Sequence, residues 1–332
     1  MIISKTPLRA SFFGGGTDFK GYYENSRCGY GSVISTALNM YVYIMVCKRF
    51  DNKIRVCYTK NEFVDSVDQI KHNIIREALK IVGIENGIDI VYSADIPLSS
   101  AGVGLASSSA LAVGVLNALY TYKGEYASPE KLARMACEIE INRMGNPIGV
   151  QDQYACAYGG FRVYKFWANG KVSATPVSVP RENMKALQNN LMLYYTGLTR
   201  ISSEILAEQK ENIPDKNKVL DQMLQMVDEA ERVISEGDLD QWGRMLDKAW
   251  HMKRSLASKI SNSDIDFMYE SAKSAGAMGG KVLGAGGGGF LLLYVPDENK
   301  ANVRKALKDY KEVDFEFENE GSRIIFMEEN RG

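Results

Sequence analysis

A glycine- and serine-rich segment that runs directly into a helix constrains this chain more than any other feature. The segment reads Asp95-Ile-Pro-Leu-Ser-Ser-Ala-Gly-Val-Gly-Leu-Ala-Ser-Ser-Ser-Ala110. Its glycines allow the backbone to turn tightly and to approach a ligand, and a helix predicted over residues 107–123 would point its unpaired N–H groups at that ligand. The sequence therefore predicts a phosphate site, and the residues expected to form it are Gly102, Val103, Gly104, Leu105, Ala106, Ser107, Ser108 and Ser109.

The helix that follows is apolar on nearly all of its faces, with the sequence Ala110-Leu-Ala-Val-Gly-Val-Leu-Asn-Ala-Leu119. Such a helix is expected to lie in the core, so its N-terminus would open into a cleft. One of the serines could cap the helix while another reaches a metal-bound phosphate. The alternative interpretation is a loop that only supplies an N-cap.

The balance of charges narrows the possible partners. Lys and Arg number 40 and Asp and Glu number 41, for a formal net charge of -1, which predicts no nucleic-acid partner and no anionic membrane partner. Because no run of 18 apolar residues occurs, a cytoplasmic location is expected. The two histidines, His72 and His251, cannot form a three-histidine zinc site. Acid–base chemistry is therefore expected to rest on carboxylates or lysines.

The predicted elements divide the chain into residues 1–180, which are rich in strands, and residues 181–332, which begin with long amphipathic helices. Helices are predicted near 69–83, 107–123, 129–143, 202–212, 215–236, 238–258, 263–276 and 298–309. Two strands are predicted around Gly284-Ala-Gly-Gly-Gly-Gly289, and closing strands near 313–317 and 321–328. This order favours two α+β domains.

Two carboxylates in the first part are candidates for chemistry. On a helical wheel of residues 129–143, Glu140 lies at the edge of the apolar face, where a partly buried carboxylate needs a cation or hydrogen bonds. An ion pair and a magnesium ion are both open interpretations. Asp152 follows the turn-rich segment Gly145-Asn-Pro-Ile-Gly-Val-Gln-Asp-Gln153, and it could be either a turn residue or a functional one.

Two further glycine clusters occur. The first, Pro7-Leu-Arg-Ala-Ser-Phe-Phe-Gly-Gly-Gly-Thr-Asp18, brackets its glycines with Arg9 and Asp18 and could be a substrate contact or a bulged hairpin. The second, Gly284–Gly289, matches G-x-G-x-x-G but precedes the strand-like run Phe290-Leu-Leu-Leu-Tyr-Val295, so a dinucleotide fold is excluded. A Walker A sequence and the H-R-D and D-F-G signatures of protein kinases are also absent from the sequence.

Three glycine motifs, taken in chain order, resemble those of the superfamily of galactokinase, homoserine kinase, mevalonate kinase and phosphomevalonate kinase. They are the first motif, Arg9 to Asp18, the central loop, Pro97 to Ala110, and the third motif, Lys281 to Phe290. The resemblance covers essentially the whole chain, and the first motif is most similar to that of bacterial D-glycero-D-manno-heptose 7-phosphate kinases. The central loop departs from the pattern at Ala106, where a glycine is usual. The resemblance implies an α+β two-domain fold, with an amino-terminal ATP-binding domain like ribosomal protein S5 domain 2 and a carboxyl-terminal ferredoxin-like α+β domain with added helices.

The same resemblance implies roles for individual residues. Ser108 and Glu140 would ligate the Mg²⁺ that accompanies ATP. Asp152 would act as the base or electrostatic partner for a sugar hydroxyl, with Arg9 stabilising charge. The residues expected to contact substrate are Gly15, Gly16, Thr17, Asp18, Gly286 and Gly287.

The activity implied is an ATP-dependent phosphotransferase that phosphorylates the anomeric hydroxyl of D-glycero-D-manno-heptose 7-phosphate. Its 1,7-bisphosphate product would lead to nucleotide-activated heptose for capsule or lipopolysaccharide. A kinase of the same superfamily for galactose, fucose or a mevalonate derivative is the first alternative. A non-catalytic sugar or nucleotide sensor is the second, but a sensor would be expected to have lost part of the catalytic set.

Overall fold

The computed structural model describes residues 1–96, 104–198 and 202–328. The strands in these ranges form two sheets. They are β1 (Ile2–Phe13), β2 (Tyr30–Lys48), β3 (Ile54–Cys57), β4 (Asn61–Val64), β5 (Ile88–Ala94), β6 (Phe161–Trp167), β7 (Val172–Pro176), β8 (Leu191–Tyr195), β9 (Gly279–Val282), β10 (Phe290–Tyr294), β11 (Lys311–Glu312), β12 (Phe317–Glu318) and β13 (Arg323–Met327).

The larger sheet is organised around β2, which is 19 residues long and rich in β-branched and aromatic residues. The strand order is β13-β1-β2-β5-β3-β4, and β2 also pairs with β6 and β12. The amino-terminal part of β2 pairs with β6 and its carboxyl-terminal part with β5. The first strand, β1, lies beside β2 along its length, so the first glycine motif emerges from the middle of this sheet.

The smaller sheet has the order β11-β8-β10-β9 and is antiparallel. The two strands predicted on either side of the third glycine motif are β9 and β10, which pair with each other in this sheet. The closing strands behave differently, because β13 pairs with β1 and β12 with β2 of the larger sheet. Their position in the chain predicts that both closing strands belong to the domain of residues 181–332, and this prediction is wrong. Local sequence contains no signal for their pairing with β1 and β2. A domain boundary at residue 180 stays a prediction.

The helices of the described residues pack against the sheets and against one another. They are α1 (Lys20–Tyr23), α2 (Asn73–Val82), α3 (Ser107–Tyr122), α4 (Pro129–Cys137), α5 (Gln151–Tyr158), α6 (Arg181–Asn189), α7 (Ser202–Glu236), α8 (Leu239–Arg254), α9 (Ser263–Ser274) and α10 (Lys300–Ala306). Short 3₁₀ turns span Val67–Gln69 and Asp297–Asn299, and a π-helical turn spans Glu138–Arg143.

The prediction of separate helices at 202–212 and 215–236 is wrong, since α7 is one helix of 35 residues that contains Pro214. A proline inside a helix costs about 3 kcal/mol, so the rest of the helix must compensate. Buried residues recur along one face on both sides of the proline, from Ile205 and Ile213 to Leu220 and Val227. Tertiary packing of this continuous apolar face overrides the local break.

Helix α3 is the central helix of the larger core, as its apolar sequence predicts. Every residue from Ser109 to Tyr120 is buried, and the helix packs against β1, β2, α2, α4 and α5. A second cluster of buried apolar residues joins α7, α8 and α9 to the smaller sheet. No helix in the described part of the chain is long and apolar enough to span a membrane.

Candidate active site

The start of α3 lies where two glycine motifs meet. Gly104 and Ala106, just before the helix, have left-handed backbone with φ of 84° and 64°. A Cβ on Gly104 would lie 2.4 Å from the carbonyl oxygen of Leu283, and one on Gly284 would lie 2.5 Å from the Cα of Gly104. The central loop and the third glycine motif therefore pack backbone to backbone. Gly102 and Val103 of the predicted phosphate site lie outside the described residues.

Glu140 is more deeply buried than the helical wheel indicates. The wheel assumed a regular helix over 129–143, but α4 ends at Cys137 and a π-helical turn follows, with the Met144 N–H donating to the Ile139 carbonyl at 3.0 Å. The wider turn rotates Glu140 inward, and none of its surface is exposed. The expectation of partial burial at the edge of a face was wrong for this reason.

The carboxylate of Glu140 faces the start of α3. It accepts hydrogen bonds from the hydroxyls of Ser108 and Ser109, the latter at 2.7 Å, and from the Gln153 amide at 2.7 Å. Burial raises the pKa of Glu140, and these three hydrogen bonds oppose that rise while the charge of Asp152 adds to it. Its hydrogen-bond partners in the described residues are thus neutral, although a buried carboxylate is best stabilised by a cation.

Arg9 and Asp152 form a bidentate ion pair at the floor of the cleft. Arg9 Nε and Nη2 donate to the two carboxylate oxygens at 2.8 Å and 2.7 Å, and Nη1 donates to the Gly104 carbonyl at 2.7 Å. The Arg9 side chain is 3% exposed and that of Asp152 is 27% exposed. One guanidinium therefore holds the carboxylate beside the central loop in a fixed orientation.

Asp152 lies in the first turn of α5, whereas its sequence predicts a turn-rich segment that continues to Gln153. Residues 145–150 are irregular backbone, and α5 begins directly after them at Gln151. The Val150 N–H donates to the carbonyl of Asp18 at 3.2 Å, which ties the start of α5 to the first glycine motif. The helix is short and polar at its start, so its periodicity is too weak to detect.

Asp18 is a second carboxylate in the same cleft. It is 1% exposed, and it accepts hydrogen bonds from the backbone N–H groups of Gly16 at 3.0 Å and Gln151 at 3.3 Å. Burial raises the pKa of Asp18, with the charge of Asp152 as the second cause, and the backbone N–H groups lower it. A Cβ on Gly149 would lie 1.9 Å from Asp18 Oδ2, so this approach requires glycine.

The predicted substrate residues divide into two groups. Gly15, Gly16 and Asp18 line one cleft together with Arg9 and Asp152. Thr17 does not line it, because its hydroxyl donates within the protein toward the carbonyls of Gly14 and Ser32.

Gly286 and Gly287 do not line this cleft either. They pack against Ile260, whose carbonyl accepts the Gly287 N–H at 2.6 Å. From this motif it is Gly284 and Ala285 that line the cleft.

Sequence reasoning missed several residues of the cleft wall. These are Ser11, Phe19, Leu206, Gln209, Lys253 and Lys281. Ser11 and Lys281 stand inside glycine motifs, so their neighbourhood was a usable signal. Gln209 and Lys253 belong to the amphipathic patterns of α7 and α8, where nothing local distinguishes them from other polar residues.

Two models of one protein family match this chain. The family model described as GHMP kinases N terminal domain matches residues 70–160, and the one described as GHMP kinases C terminal matches residues 226–312. The chain is 30% identical to the D-glycero-alpha-D-manno-heptose 7-phosphate kinase of Campylobacter jejuni, over 96% of this chain and 97% of that one.

Solved structures show the same fold. A D-glycero-D-manno-heptose 1-phosphate kinase from Bacteroides thetaiotaomicron superposes with a TM-score of 0.81 at 24% identity, over 99% of this chain and 100% of that one. The galactokinase of Lactococcus lactis, complexed with galactose, superposes with a TM-score of 0.75 at 19% identity, over 97% and 94% of the two chains. The two-domain α+β fold implied by the three glycine motifs is thereby confirmed.

Proposed function

This chain belongs to the GHMP kinase family, and from that membership and the geometry of its cleft we propose that it phosphorylates the anomeric hydroxyl of D-glycero-D-manno-heptose 7-phosphate. The family membership makes it an ATP-dependent kinase. The products would be ADP and the 1,7-bisphosphate, a precursor for nucleotide-activated heptose. The observation that carries the proposal is the Arg9–Asp152 pair, which is tied to the central loop through the Gly104 carbonyl.

The triphosphate of ATP would lie at the start of α3. The helix end presents unpaired N–H groups and the positive end of its dipole, and the left-handed residues before it turn the backbone around this end. The predicted contacts are those of the central loop, from Gly102 to Ser109. Burial of α3 on all faces leaves its N-terminus as the part of the helix that a ligand can reach.

Ser108 and Glu140 would hold the Mg²⁺ that accompanies ATP. Both supply oxygen ligands, which this ion prefers, and the buried Glu140 has neutral partners that leave its charge uncompensated in the described residues. When bound, the ion would neutralise charge on the phosphate oxygens. The residues therefore fit the group that the family implies.

The chemistry proposed for Arg9 and Asp152 is positioning and charge stabilisation. A bond forms between the anomeric oxygen and the γ-phosphorus while the bond from that phosphorus to the β,γ-bridging oxygen breaks. The hydroxyl proton passes to Asp152, or Asp152 stabilises the hydroxyl electrostatically as it ionises. Arg9 would stabilise the negative charge that spreads over the transferred phosphoryl oxygens. An anomeric hydroxyl is more acidic than an ordinary alcohol, so the demand on Asp152 is modest.

The acceptor is proposed from the relative and from the cleft together. The Campylobacter heptose 7-phosphate kinase matches along nearly the whole of both chains. In the cleft, Asp18, Gly15 and Gly16 line the same wall as Asp152, and they would bind sugar hydroxyls there. Buried hydrogen-bonding groups of this kind discriminate strongly between hydroxyl patterns.

An acceptor screen tests this function. ADP release would be measured with ATP and Mg²⁺ against heptose 7-phosphate, galactose, fucose and mevalonate. We expect kcat/KM for heptose 7-phosphate to exceed that for the other acceptors by on the order of 100-fold. Equal or higher kcat/KM for galactose, fucose or mevalonate would contradict the proposed acceptor, and no ADP release with any acceptor would favour a sensor.

A further inference from the structure

Lys281 is a buried basic side chain in the wall of the cleft that the mechanism above does not use. It belongs to β9, is 3% exposed, and lines the same cleft as Arg9 and Asp18. Its Nζ donates a hydrogen bond to the carbonyl of Phe12 at 2.8 Å. Because Phe12 belongs to β1 of the other sheet, the side chain reaches from one half of the molecule to the other.

The charges around Lys281 leave its ammonium weakly stabilised. Burial lowers the pKa of Lys281 to about 7, with the charge of Arg9 as the next cause, and Asp18 opposes this shift. From α8, Lys253 donates to the carbonyls of Val282 and Gly284 at 2.8 Å and 2.5 Å, so a second ammonium lies against the same segment. An anion bound at this position would stabilise the charged form of Lys281.

Arg9 and Asp18 are already engaged with other groups. Arg9 is matched by the carboxylate of Asp152, and Asp18 accepts two backbone N–H groups. An ammonium has three N–H donors, and in the described residues Lys281 directs one of them to Phe12. Its remaining donors are therefore suited to a ligand that carries several acceptor oxygens.

Ser11 supplies an independent observation at the same place. It follows Arg9 by two residues on β1, so both side chains lie on one face of the strand, and both line the cleft. Ser11 is 5% exposed, and its hydroxyl has no hydrogen-bond partner among the described residues. A buried hydroxyl without a hydrogen-bond partner is destabilising. This indicates that a ligand supplies the missing hydrogen bond to Ser11.

We propose that Lys281 and Ser11 form an anion subsite for the phosphate group that the acceptor sugar already carries. This inference rests on the proposed function, because it assigns the terminal phosphate of a sugar phosphate to these two side chains. A neutral sugar would not require a buried ammonium. A phosphate presents acceptor oxygens to the ammonium and to the hydroxyl at once.

The position of the subsite distinguishes this phosphate from the one that is transferred. Arg9 and Asp152 mark the reacting end, beside Gly104 and the start of α3. Lys281 contacts the backbone three residues further along β1, at Phe12, which places that contact about 10 Å from Arg9 along the strand. A sugar oriented with its anomeric hydroxyl toward Asp152 would extend its phosphorylated end in this direction.

The test compares two acceptors that differ only in the terminal phosphate, heptose 7-phosphate and the unphosphorylated heptose. In Lys281→Met we expect KM for heptose 7-phosphate to rise about 100-fold, with kcat within about threefold of the wild-type value. The kcat/KM for unphosphorylated heptose should stay within about threefold of wild type. Ser11→Ala should raise KM for heptose 7-phosphate about fivefold, and Lys281→Arg should restore part of the affinity.

Lys273→Met is the control for the loss of a lysine outside the cleft, where Lys273 also pairs with Asp247 at 3.2 Å. The Nζ of Lys273 also donates to a backbone carbonyl, that of Met278 at 2.9 Å, and this side chain does not line the cleft. Its substitution should leave KM for both acceptors unchanged. Thermal denaturation of each variant shows whether it is folded.

A binding measurement supplies a readout that a structural role for Lys281 would not change. At pH 8 heptose 7-phosphate is a dianion and Lys281 is mostly neutral, so binding of the sugar alone should draw about one proton onto the wild-type enzyme. Calorimetry in buffers of different ionisation enthalpy measures this uptake. Lys281→Met should show none.

The outcomes separate the two proposals. If the wild-type enzyme uses the two acceptors equally well, the proposed substrate class fails. If the wild-type enzyme prefers heptose 7-phosphate and Lys281→Met keeps that preference, or takes up the same number of protons, the function stands and the subsite is refuted. A loss of kcat that is equal for both acceptors would place Lys281 at the transferred phosphoryl group and would also overturn the subsite.

Discussion

Asp152→Asn is the substitution that most informatively perturbs the cleft. It keeps the volume of the side chain and removes the negative charge beside Arg9. Two charge-assisted hydrogen bonds, at 2.8 Å and 2.7 Å, join the two side chains in the wild-type protein. In the variant, an amide N–H group would face one of the guanidinium donors, so that one of these bonds is lost.

The expected magnitude follows from burial. The Arg9 side chain is 3% exposed, so its charge cannot be transferred to water when the carboxylate is removed. Breaking one partner of a buried pair costs about 3 kcal/mol of the free energy of unfolding. Loss of the base or charge partner should lower kcat by on the order of 100-fold or more, while KM for ATP changes little.

A double-mutant cycle with Arg9→Met separates the pair from its surroundings. The free energy of unfolding would be measured by urea denaturation for the wild type, both single variants and the double variant. Because each single variant leaves one polar partner unmatched, we expect the two losses to overlap by about 2 kcal/mol in the double variant. The kcat of the double variant should be no lower than that of the slower single variant.

Two results would refute this reasoning. Additive losses of stability would mean that Arg9 and Asp152 contribute independently. A kcat near the wild-type value in Asp152→Asn would remove Asp152 from its proposed role, whatever happens to stability.

Three other perturbations have expected outcomes. Gly104→Ala should destabilise the protein by about 2 kcal/mol more than Gly124→Ala in urea denaturation. Both glycines have positive φ, but only at Gly104 would a Cβ lie 2.4 Å from a carbonyl oxygen. Equal losses of stability would exclude the close packing of the central loop against the third glycine motif. Glu140→Gln should raise the Mg²⁺ concentration for half-maximal activity at least about tenfold, and an unchanged Mg²⁺ titration would show that the metal lies elsewhere. Since burial lowers the pKa of Lys281 to about 7, the unfolded chain binds more protons between pH 7 and 10. The wild-type free energy of unfolding should therefore rise by about 2 kcal/mol from pH 7 to 9 relative to Lys281→Met, and parallel pH profiles would contradict this.

Local sequence patterns correctly predicted the central helix α3 and the strands that flank the third glycine motif. The burial of α3 and its start at Ser107 follow from an apolar helix that begins after a glycine- and serine-rich loop. The strands on either side of the third glycine motif follow from its flanking apolar runs. The convergence of Arg9 on Asp152 could be anticipated only through the family resemblance, because 143 residues separate them.

The remaining features depend on contacts that no local pattern contains. The full burial of Glu140 depends on a π-helical turn, which a regular helical wheel does not represent. Pro214 remains inside α7 because packing of the helix face compensates for it. The pairing of β13 with β1 and the hydrogen bond from Lys281 to Phe12 are tertiary contacts between distant parts of the chain.

Phosphorus NMR of the reaction product tests the central claim most directly. The enzyme would be incubated with ATP, Mg²⁺ and D-glycero-D-manno-heptose 7-phosphate, and the new phosphorus signal would be assigned by its coupling to sugar protons. Transfer beside Asp152 predicts a second phosphate coupled to the anomeric proton, with the original phosphate retained at the terminal carbon. A new phosphate on any other oxygen, or turnover of ATP without a new phosphorylated sugar, would contradict the account.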